Sequence, residues 1–368
     1  MSANFGRFLV TTNIGAIVAI AVGVVGAATL RAEEDHFVQT NLVSDLAALG
    51  AMVTDPALKN PWGLSHSPTS PFWTSNQVTS TATLYAVTDR TNVTKVNINP
   101  PAGDVLIPTT AAGPQGPTGN VNNANPESFP VNHGGDGGSA HFIFANLNGT
   151  ISAWDKGPTA FVQVTTPGAV YTGLAINGAQ TRLYAAKAAG IDVFDSAFNP
   201  VELGAGAFVD PELPAGLAPF NVQSISGDIF VAYAPPGRPN QIAAARGAGA
   251  VAIFDEDGNF IKQVVAGSRL AAPWGMAIAP PSFGRFSNHL LVGNFSYGHS
   301  EINAFDLTNG NLHGTIPVDT GGVSPGGLWS LEFGVGGNNG NPDTLYFTDG
   351  IAGEADGLFG AIFRKQGP

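Results

Sequence analysis

A short motif recurs along this chain at nearly regular intervals, and the recurrence limits the possible folds more than any other feature. The segments Asn60-Pro61-Trp62-Gly63-Leu64 and Ala272-Pro273-Trp274-Gly275-Met276 match almost residue for residue. Weaker copies open four further units, so that six openings lie near residues 63, 118, 173, 220, 275 and 327. A repeat of roughly 50 residues indicates supersecondary units that pack against their neighbours.

Each opening is followed by short apolar runs of the strand type. A second run resembles Thr83-Leu84-Tyr85-Ala86-Val87, and a third alternates in polarity, as in Ala250-Val251-Ala252-Ile253-Phe254-Asp255. Alternation is typical of half-buried strands, and turn sequences such as Asp257-Gly258-Asn259 separate them. Four short strands in each of six units predict an all-β fold, a six-bladed β-propeller with four-stranded blades. A seven-bladed ring or a pair of β-sandwiches fits the spacing less well.

The ring also needs a closure, because an open sheet edge invites pairing with other chains. Residues 37–43 form an apolar, strand-like run with no partner in their own unit. We predict that they add an N-terminal strand to the last blade, beside a C-terminal strand at residues 360–364. The 48 glycines and 27 prolines suit this turn-rich architecture and argue against long helices.

Residues 1–32 have the layout of a secretory signal peptide. Arg7 is the only charge before the apolar residues 14–30, and Glu33-Glu34-Asp35 follows at once. We therefore predict a signal peptide at residues 1–32, a single propeller domain at residues 33–368, and export to the periplasm or the extracellular space. The alternative is an uncleaved N-terminal anchor, since about 17 apolar residues nearly span a bilayer. No other membrane span is predicted.

Charge and side-chain chemistry exclude several function classes. The net charge is −12 and no basic stripe is visible, so a nucleic-acid partner is not expected. The absence of cysteine excludes thiol catalysis and thiolate metal sites. The seven histidines show neither the i, i+4 nor the His-x-His spacing of a zinc site. They are His36, His66, His133, His141, His289, His299 and His313.

Several of these segments resemble an uncharacterised family of exported bacterial β-propellers, some members of which carry a C-terminal exosortase sorting signal. The segments that carry the resemblance are residues 60–87, 213–223, 272–277, 291–295 and 327–331. More distantly, the repeat is similar to NHL-type propellers and to gluconolactonase-like, calcium-dependent lactonase propellers. The resemblance implies the fold and export but supplies no reaction. Because the chain ends at Gln366-Gly367-Pro368 without an apolar helix, sorting by that route is not expected.

In a propeller, the loops that enter the innermost strands meet at one mouth of the central channel. We predict that this mouth binds a ligand or partner, which is a small molecule, a polysaccharide or a protein. The tryptophans either offer a stacking surface there or pack blade against blade. The predicted ligand-binding residues are Asn60, Trp62, Asn76, Asn120, Asn221, Gln223, Trp274, Asn294 and Trp329. Gln77, Asn146, His299 and Glu354 are further polar residues expected on the same face.

The alternative function is a calcium-dependent hydrolase or lactonase with a metal on the channel axis. Amide and carboxylate oxygens are ligands that Ca²⁺ accepts, and a bound metal polarises a carbonyl group. The candidate metal ligands are Asn221, Asn294 and Asp349. Catalytic residues are not identified by the sequence, and the scarcity of carboxylates favours binding over catalysis.

Overall fold

The computed structural model describes residues 36–98, 103–109, 113–323 and 326–365. The predicted signal peptide at residues 1–32 lies outside these ranges. The described chain is almost entirely β-structure, as the alternating runs predict, and its strands form six sheets. Each sheet is one blade, so the prediction of a six-bladed β-propeller is confirmed.

The strands follow one another along the chain in blade order. Two strands precede the first repeat, namely β1 (Phe37–Ser44) and β2 (Val53–Thr54). Blade 1 contains β3 (Pro61–Ser65), β4 (Phe72–Asn76), β5 (Thr81–Thr88), β6 (Asn92–Val96) and the short β7 (Val105–Leu106). Blade 2 contains β8 (Pro117–Asn122), β9 (Phe142–Asn146), β10 (Thr150–Trp154) and β11 (Phe161–Thr165). Blade 3 contains β12 (Gly173–Ile176), β13 (Arg182–Lys187) and β14 (Gly190–Asp195).

The second half of the chain repeats the pattern. Blade 4 contains β15 (Ala218–Ile225), β16 (Asp228–Ala234), β17 (Ala250–Phe254) and β18 (Phe260–Ala266). Blade 5 contains β19 (Pro273–Ile278), β20 (Leu290–Asn294), β21 (Glu301–Phe305) and β22 (Leu312–Pro317). Blade 6 contains β23 (Gly327–Phe333), β24 (Thr344–Gly350) and β25 (Leu358–Arg364). Helical turns are α1 (Arg238–Ile242), α2 (Ile351–Glu354) and 3-10 turns at Ala47–Leu49 and Gly284–Phe286.

The first strand of each blade lies on the inside of the ring. Contacts run from β3 to β8, β12, β15, β19 and β23 and return to β3, which closes the circle. Apolar side chains from facing sheets form the core between successive blades, as in the cluster of Leu291, Leu328, Phe347 and Leu358 between blades 5 and 6. A single blade buries only one face against each neighbour, so the blades depend on the complete ring for their stability.

Strand β1 closes the ring, as the sequence predicts. It pairs antiparallel with β25, from Phe37 opposite Arg364 to Ser44 opposite Leu358. Blade 6 therefore takes its outermost full strand from the N-terminal part of the chain, and β2 pairs with β1 at the outer edge. Leu42 and Val43 of β1 are fully buried, so the closure contributes core packing as well as backbone hydrogen bonds.

Blade 3 departs from the four-stranded pattern, because its regular sheet has three strands. The fourth position is occupied by the segment after Asn199, in which Pro200 forms an isolated bridge to Phe194. The Val201 amide donates a hydrogen bond of 2.8 Å to the Val193 carbonyl oxygen. Proline has no amide hydrogen to donate, so this segment follows the edge of β14 without forming a full strand.

None of the helices in the described part of the chain has the length and apolar character needed to span a bilayer.

Candidate functional site

One position at or just before the start of the innermost strand of each blade lies near the channel axis. In blades 1, 2, 4 and 5 the residue before it is a proline that pairs with the last part of the second strand, as Pro61 does with Asn76. In blade 6 the same pairing joins Leu328 to Asp349, so Trp329 is the counterpart of Trp62. We call this position the axial position and the six residues that occupy it the axial residues. They are Trp62, Thr118, Thr172, Phe220, Trp274 and Trp329.

Four of the six axial residues are aromatic, and together with Phe295 they form an aromatic plug. Trp62 stacks on Trp329 with ring centroids 3.6 Å apart and planes inclined by 20°. Trp274 stands edge-on to both, at 6.2 Å and 5.6 Å. Phe295 stacks on Trp329 with ring centroids 4.4 Å apart and planes inclined by 27°. These rings are nearly fully buried, so they fill the channel rather than offer an open stacking surface.

The two remaining axial residues, Thr118 and Thr172, are small and lie side by side in blades 2 and 3. On this side of the axis the plug leaves a cavity of about 640 Å³, which is within the range of small-molecule sites. Loops of blades 2 and 3 form much of its apolar wall, which includes Pro114, Leu147, Ala169, Val170, Ala188 and Ala189. Asn60, Trp62, Gln77, Arg238, Gln241 and Glu354 are among the residues on its other sides.

Arg238, the first residue of α1, covers the aromatic plug. Its guanidinium carbon lies 4.0 Å from the centroid of Phe295, 5.1 Å from Trp329 and 5.4 Å from Trp62. About 31% of the side chain is exposed, but both terminal nitrogens are buried, so the exposed part is the stem. Burial lowers the pKa of Arg238 to about 10, and the group stays charged at neutral pH.

Glu354 in α2 forms an ion pair with Arg238. The same carboxylate accepts hydrogen bonds of 3.0 Å from Asn60 Nδ2 and 3.0 Å from the Tyr297 hydroxyl. Asn60 in turn accepts a hydrogen bond of 2.9 Å from Trp329 Nε1. Residues from blades 1, 5 and 6 and from the insertion that carries α1 are thus joined in one polar network above the plug.

The second cation of the cavity is also paired. Lys187 lies 2.6 Å from a carboxylate oxygen of Asp192, which also accepts a hydrogen bond of 2.7 Å from the Tyr171 hydroxyl. Among the described residues that line the cavity, Arg238, Lys187 and Glu354 carry charge, and each has an oppositely charged partner. The cavity is therefore apolar and electrically balanced.

The residues that the sequence assigned to one channel mouth lie in three different places in the structure. Asn60, Trp62, Gln77 and Glu354 line the cavity described above. Asn120 and Gln223 line a different cavity of about 370 Å³, which is formed by the C-terminal halves of innermost strands. Trp274 and Trp329 are buried in the plug, and Asn76, Asn221 and Asn294 are buried within the blades.

Asn120 and Asn221 link neighbouring blades. Asn120 Nδ2 donates a hydrogen bond of 3.1 Å to the Trp73 carbonyl oxygen, and Asn221 Nδ2 donates one of 2.8 Å to the Trp274 carbonyl oxygen. On its other side each amide touches an innermost-strand glycine. A Cβ added at Gly63 would lie 2.5 Å from Asn120 Oδ1, and one at Gly173 would lie 2.1 Å from Asn221 Oδ1. Glycine is therefore required for the close approach of these blades.

Two of the candidate calcium ligands have contrasting surroundings. Asn294 Oδ1 accepts a hydrogen bond of 3.0 Å from the Ala271 amide, and its Nδ2 donates one of 2.8 Å to the Arg269 carbonyl oxygen. Asp349 is fully buried, and neither carboxylate oxygen has a hydrogen-bond partner among the described residues. Burial raises the pKa of Asp349 to about 7. Calcium takes six to eight oxygen ligands, and Asp349 is the only carboxylate among the three candidates. The axial calcium site stays a prediction.

The sequence interpretation missed Arg238. This residue lies in an insertion between the second and third strands of blade 4 and belongs to no repeat. The available signal was its charge, because the chain has only 15 Lys and Arg residues in 368. A cation in a charge-poor insertion indicates a candidate functional residue. The spacing of the repeat does not reveal the aromatic partners of Arg238.

Comparisons with known proteins find relatives without an assigned function. No protein-family model matches the chain. An uncharacterized protein of Acanthamoeba polyphaga mimivirus is 29% identical over 332 residues, which cover 85% of this chain and 77% of the viral protein. A second uncharacterized mimivirus protein is 28% identical over 350 residues, covering 88% and 85%. These relatives are viral, so the expected bacterial origin is not supported.

A solved structure of similar fold is a protein of unknown function from Bacteroides thetaiotaomicron. It has a TM-score of 0.53 and 11% sequence identity, and the match covers 89% of this chain and 76% of that one. At this identity the likeness concerns the fold alone. The chain is thus a β-propeller with an aromatic plug and a cavity at one end of its channel.

Proposed function

We propose that this protein is a binding module whose cavity takes up an uncharged small molecule with an apolar face. The observation that carries the proposal is the difference in size among the six axial residues, of which four are aromatic and two are threonines. Aromatic rings from blades 1, 4, 5 and 6 close the channel, whereas Thr172, one of the two small axial residues, lines a cavity of about 640 Å³. A preformed apolar cavity of this size with a few polar groups is typical of ligand sites.

The charge arrangement supports an uncharged ligand. Arg238 is already paired with Glu354, and Lys187 is paired with Asp192. A charged ligand would have to compete with these pairs and lose its own hydration on entering an apolar cavity. An uncharged ligand leaves both pairs intact.

Binding is favoured over catalysis by the chemistry of the lining. Among the described lining residues there is no histidine, serine or aspartate, and Glu354 already accepts three donors. These groups leave little for general acid–base or nucleophilic catalysis. The alternative, a calcium-dependent hydrolase or lactonase, rests on the unpartnered carboxyl group of Asp349. Metal-dependent turnover of a lactone or an ester, abolished by a chelator, would support that alternative.

The binding proposal is tested with the uncharged fluorophore N-phenyl-1-naphthylamine as a probe. Val170 lines the cavity and Val162, in the outermost strand of blade 2, does not, yet both are 40% exposed. We expect saturable binding to the unaltered chain, at least about tenfold weaker binding to Val170→Lys, and an unchanged affinity for Val162→Lys. Equal affinities in the two variants, or no saturable binding at all, would contradict the proposal.

We also propose that the protein is exported, on the basis of the N-terminal sequence pattern alone. Small residues at Gly26-Ala27-Ala28 provide the first candidate cleavage position, and Ala32 ends a second. Mass spectrometry of the protein made in its own host would show a mature chain that begins within a few residues of these positions. A full-length chain in the membrane fraction would favour the uncleaved anchor, and a full-length chain in the soluble fraction would refute export.

A further inference from the structure

Three potential metal ligands meet on blade 5, away from the cavity. His289, Asp306 and His313 each place one ligand atom within 4.8 Å of the other two. The two imidazole rings have centroids 3.9 Å apart. None of these residues lines the cavity at the aromatic plug, so the cluster is separate from the proposed ligand site.

The register of the blade brings the three residues together. Leu290 pairs with Phe305, so His289 and Asp306, the next residues outward, lie opposite each other at the ends of β20 and β21. In the neighbouring pair of strands Ala304 pairs with Gly314 and Phe305 pairs with Leu312. His313 is therefore the extra residue of a β-bulge, and a bulge redirects a side chain out of the regular alternation of the strand.

Local hydrogen bonds orient two of the ligands. His289 Nδ1 lies 2.9 Å from the Ser287 carbonyl oxygen, so Nδ1 carries the proton and Nε2 keeps its lone pair for a metal. Asp306 Oδ1 accepts backbone hydrogen bonds of 2.7 Å from Thr308 and 3.2 Å from Asn309.

We propose that His289, Asp306 and His313 bind one divalent transition-metal ion of the zinc class. Two imidazole nitrogens and a carboxylate oxygen are ligands typical of Zn²⁺, with bonds of about 2.0–2.2 Å. Tetrahedral ligands at this bond length lie roughly 3.4 Å apart, so the cluster contracts slightly on binding. The exposed side chain of His313 has the freedom to move inward. Three protein ligands leave one coordination position for water or for a group on a partner.

Blade 2 supplies a matched control. Phe142 pairs with Trp154 as Leu290 pairs with Phe305, so His141 and Asp155 are the counterparts of His289 and Asp306. There, Asp155 is instead bound by His133 Nε2 at 3.1 Å and by the Gly138 amide at 3.0 Å. The outermost strand of blade 2, β11, contains no histidine. His141 is exposed and should not take part in metal binding.

The test is a calorimetric titration of the chelator-treated full chain with ZnCl₂, repeated with Co²⁺ to record its visible absorption. We expect one Zn²⁺ per chain and at least about tenfold weaker binding in both His289→Ala and His313→Ala, with His141→Ala unchanged. Because His313 is exposed, its variant should keep the melting temperature of the metal-free parent. Absence of Zn²⁺ binding at about 100 μM, or equal binding in His313→Ala and His141→Ala, would overturn the site.

Discussion

The indole Nε1 of Trp274 donates a hydrogen bond of 2.8 Å to the carbonyl oxygen of Thr172. Trp274 belongs to blade 5 and Thr172 precedes the first strand of blade 3, so the bond crosses the channel rather than joining adjacent blades. It fixes the orientation of the Trp274 ring within the aromatic plug. It also holds the Thr172 segment at the edge of the cavity, and the cavity depends on this segment for its shape.

The hydrogen bond from Trp274 is testable by comparison with Trp62, whose Nε1 is buried and has no hydrogen-bond partner in the described part of the chain. Trp274→Phe removes an existing hydrogen bond and leaves the Thr172 carbonyl oxygen without this donor. Trp62→Phe removes only a donor that forms no hydrogen bond. Both variants lose similar ring area. We expect Trp274→Phe to be the less stable by about 1–2 kcal/mol in denaturant unfolding. Equal losses would show that the cross-channel bond does not contribute to stability.

Asp349 occupies the position that Asn76, Asn146 and Asn294 occupy in other blades. Burial raises the pKa of Asp349 to about 7, so the folded protein favours the protonated acid. Its contribution to stability is complete below about pH 4 and is lost as the pH rises toward 7, where the unfolded chain is ionised but the buried site resists ionisation.

The substitution Asp349→Asn removes this titration. We expect the variant to be more stable than the parent by about 2–4 kcal/mol at pH 8, and the difference to fall toward zero at pH 4. Urea unfolding of both proteins at several pH values measures this difference in the free energy of unfolding. A difference that does not change with pH would mean that Asp349 has an ordinary pKa or acquires a compensating cation.

Glu354 and Arg238 are expected to depend on each other. Glu354→Gln leaves the buried guanidinium head of Arg238 without its counter-charge and should cost about 1–3 kcal/mol, a value reduced for the partial exposure of the pair. Arg238→Leu combined with Glu354→Gln should recover part of this loss, because no uncompensated charge remains. A double-mutant cycle measured by thermal unfolding gives the coupling, and strictly additive effects would argue against the pair.

The closure strand β1 is expected to be essential for a monomeric, stable propeller. A chain shortened to begin at Asp45 loses β1 and exposes the hydrogen-bonding edge of β25. We expect a strongly reduced melting temperature and self-association, both visible by light scattering during heating. A chain that begins at His36 keeps β1 and serves as the control. If the two shortened chains melt alike and remain monomeric, the closure has no such role.

The repeat made most of the fold predictable. Alternation of polar and apolar residues sets the strands, and the turn sequences between them set the hairpins. The sequence also predicted the pairing of β1 with β25, because an unpartnered apolar run needs a sheet edge to cover. Four strands were predicted in every blade, but the regular sheet of blade 3 has three. Pro200 cannot donate the hydrogen bond that a regular fourth strand needs there.

The candidate site was less predictable, for a geometric reason. Residues of one innermost strand were all assigned to one mouth, yet each residue of a strand advances about 3.3 Å along the channel. Asn120 and Gln223 therefore lie beside the opposite cavity, while Asn60 and Trp62 line the one at the aromatic plug. The metal cluster was missed because its histidines are 24 positions apart and meet through a β-bulge rather than a local spacing.

By itself the sequence determined the number of blades, the order of their strands and the strand that closes the ring. The strands and hairpins follow from hydrophobic periodicity and turn chemistry, which act between residues close together in the chain. The closing strand follows from an apolar run that has no partner in its own unit. Only the tertiary structure decided that four aromatic residues fill the axis while a cavity lined by Thr172 stays open beside them. The physical reason is that the axial side chains belong to different blades, and their contacts exist only once the ring has closed.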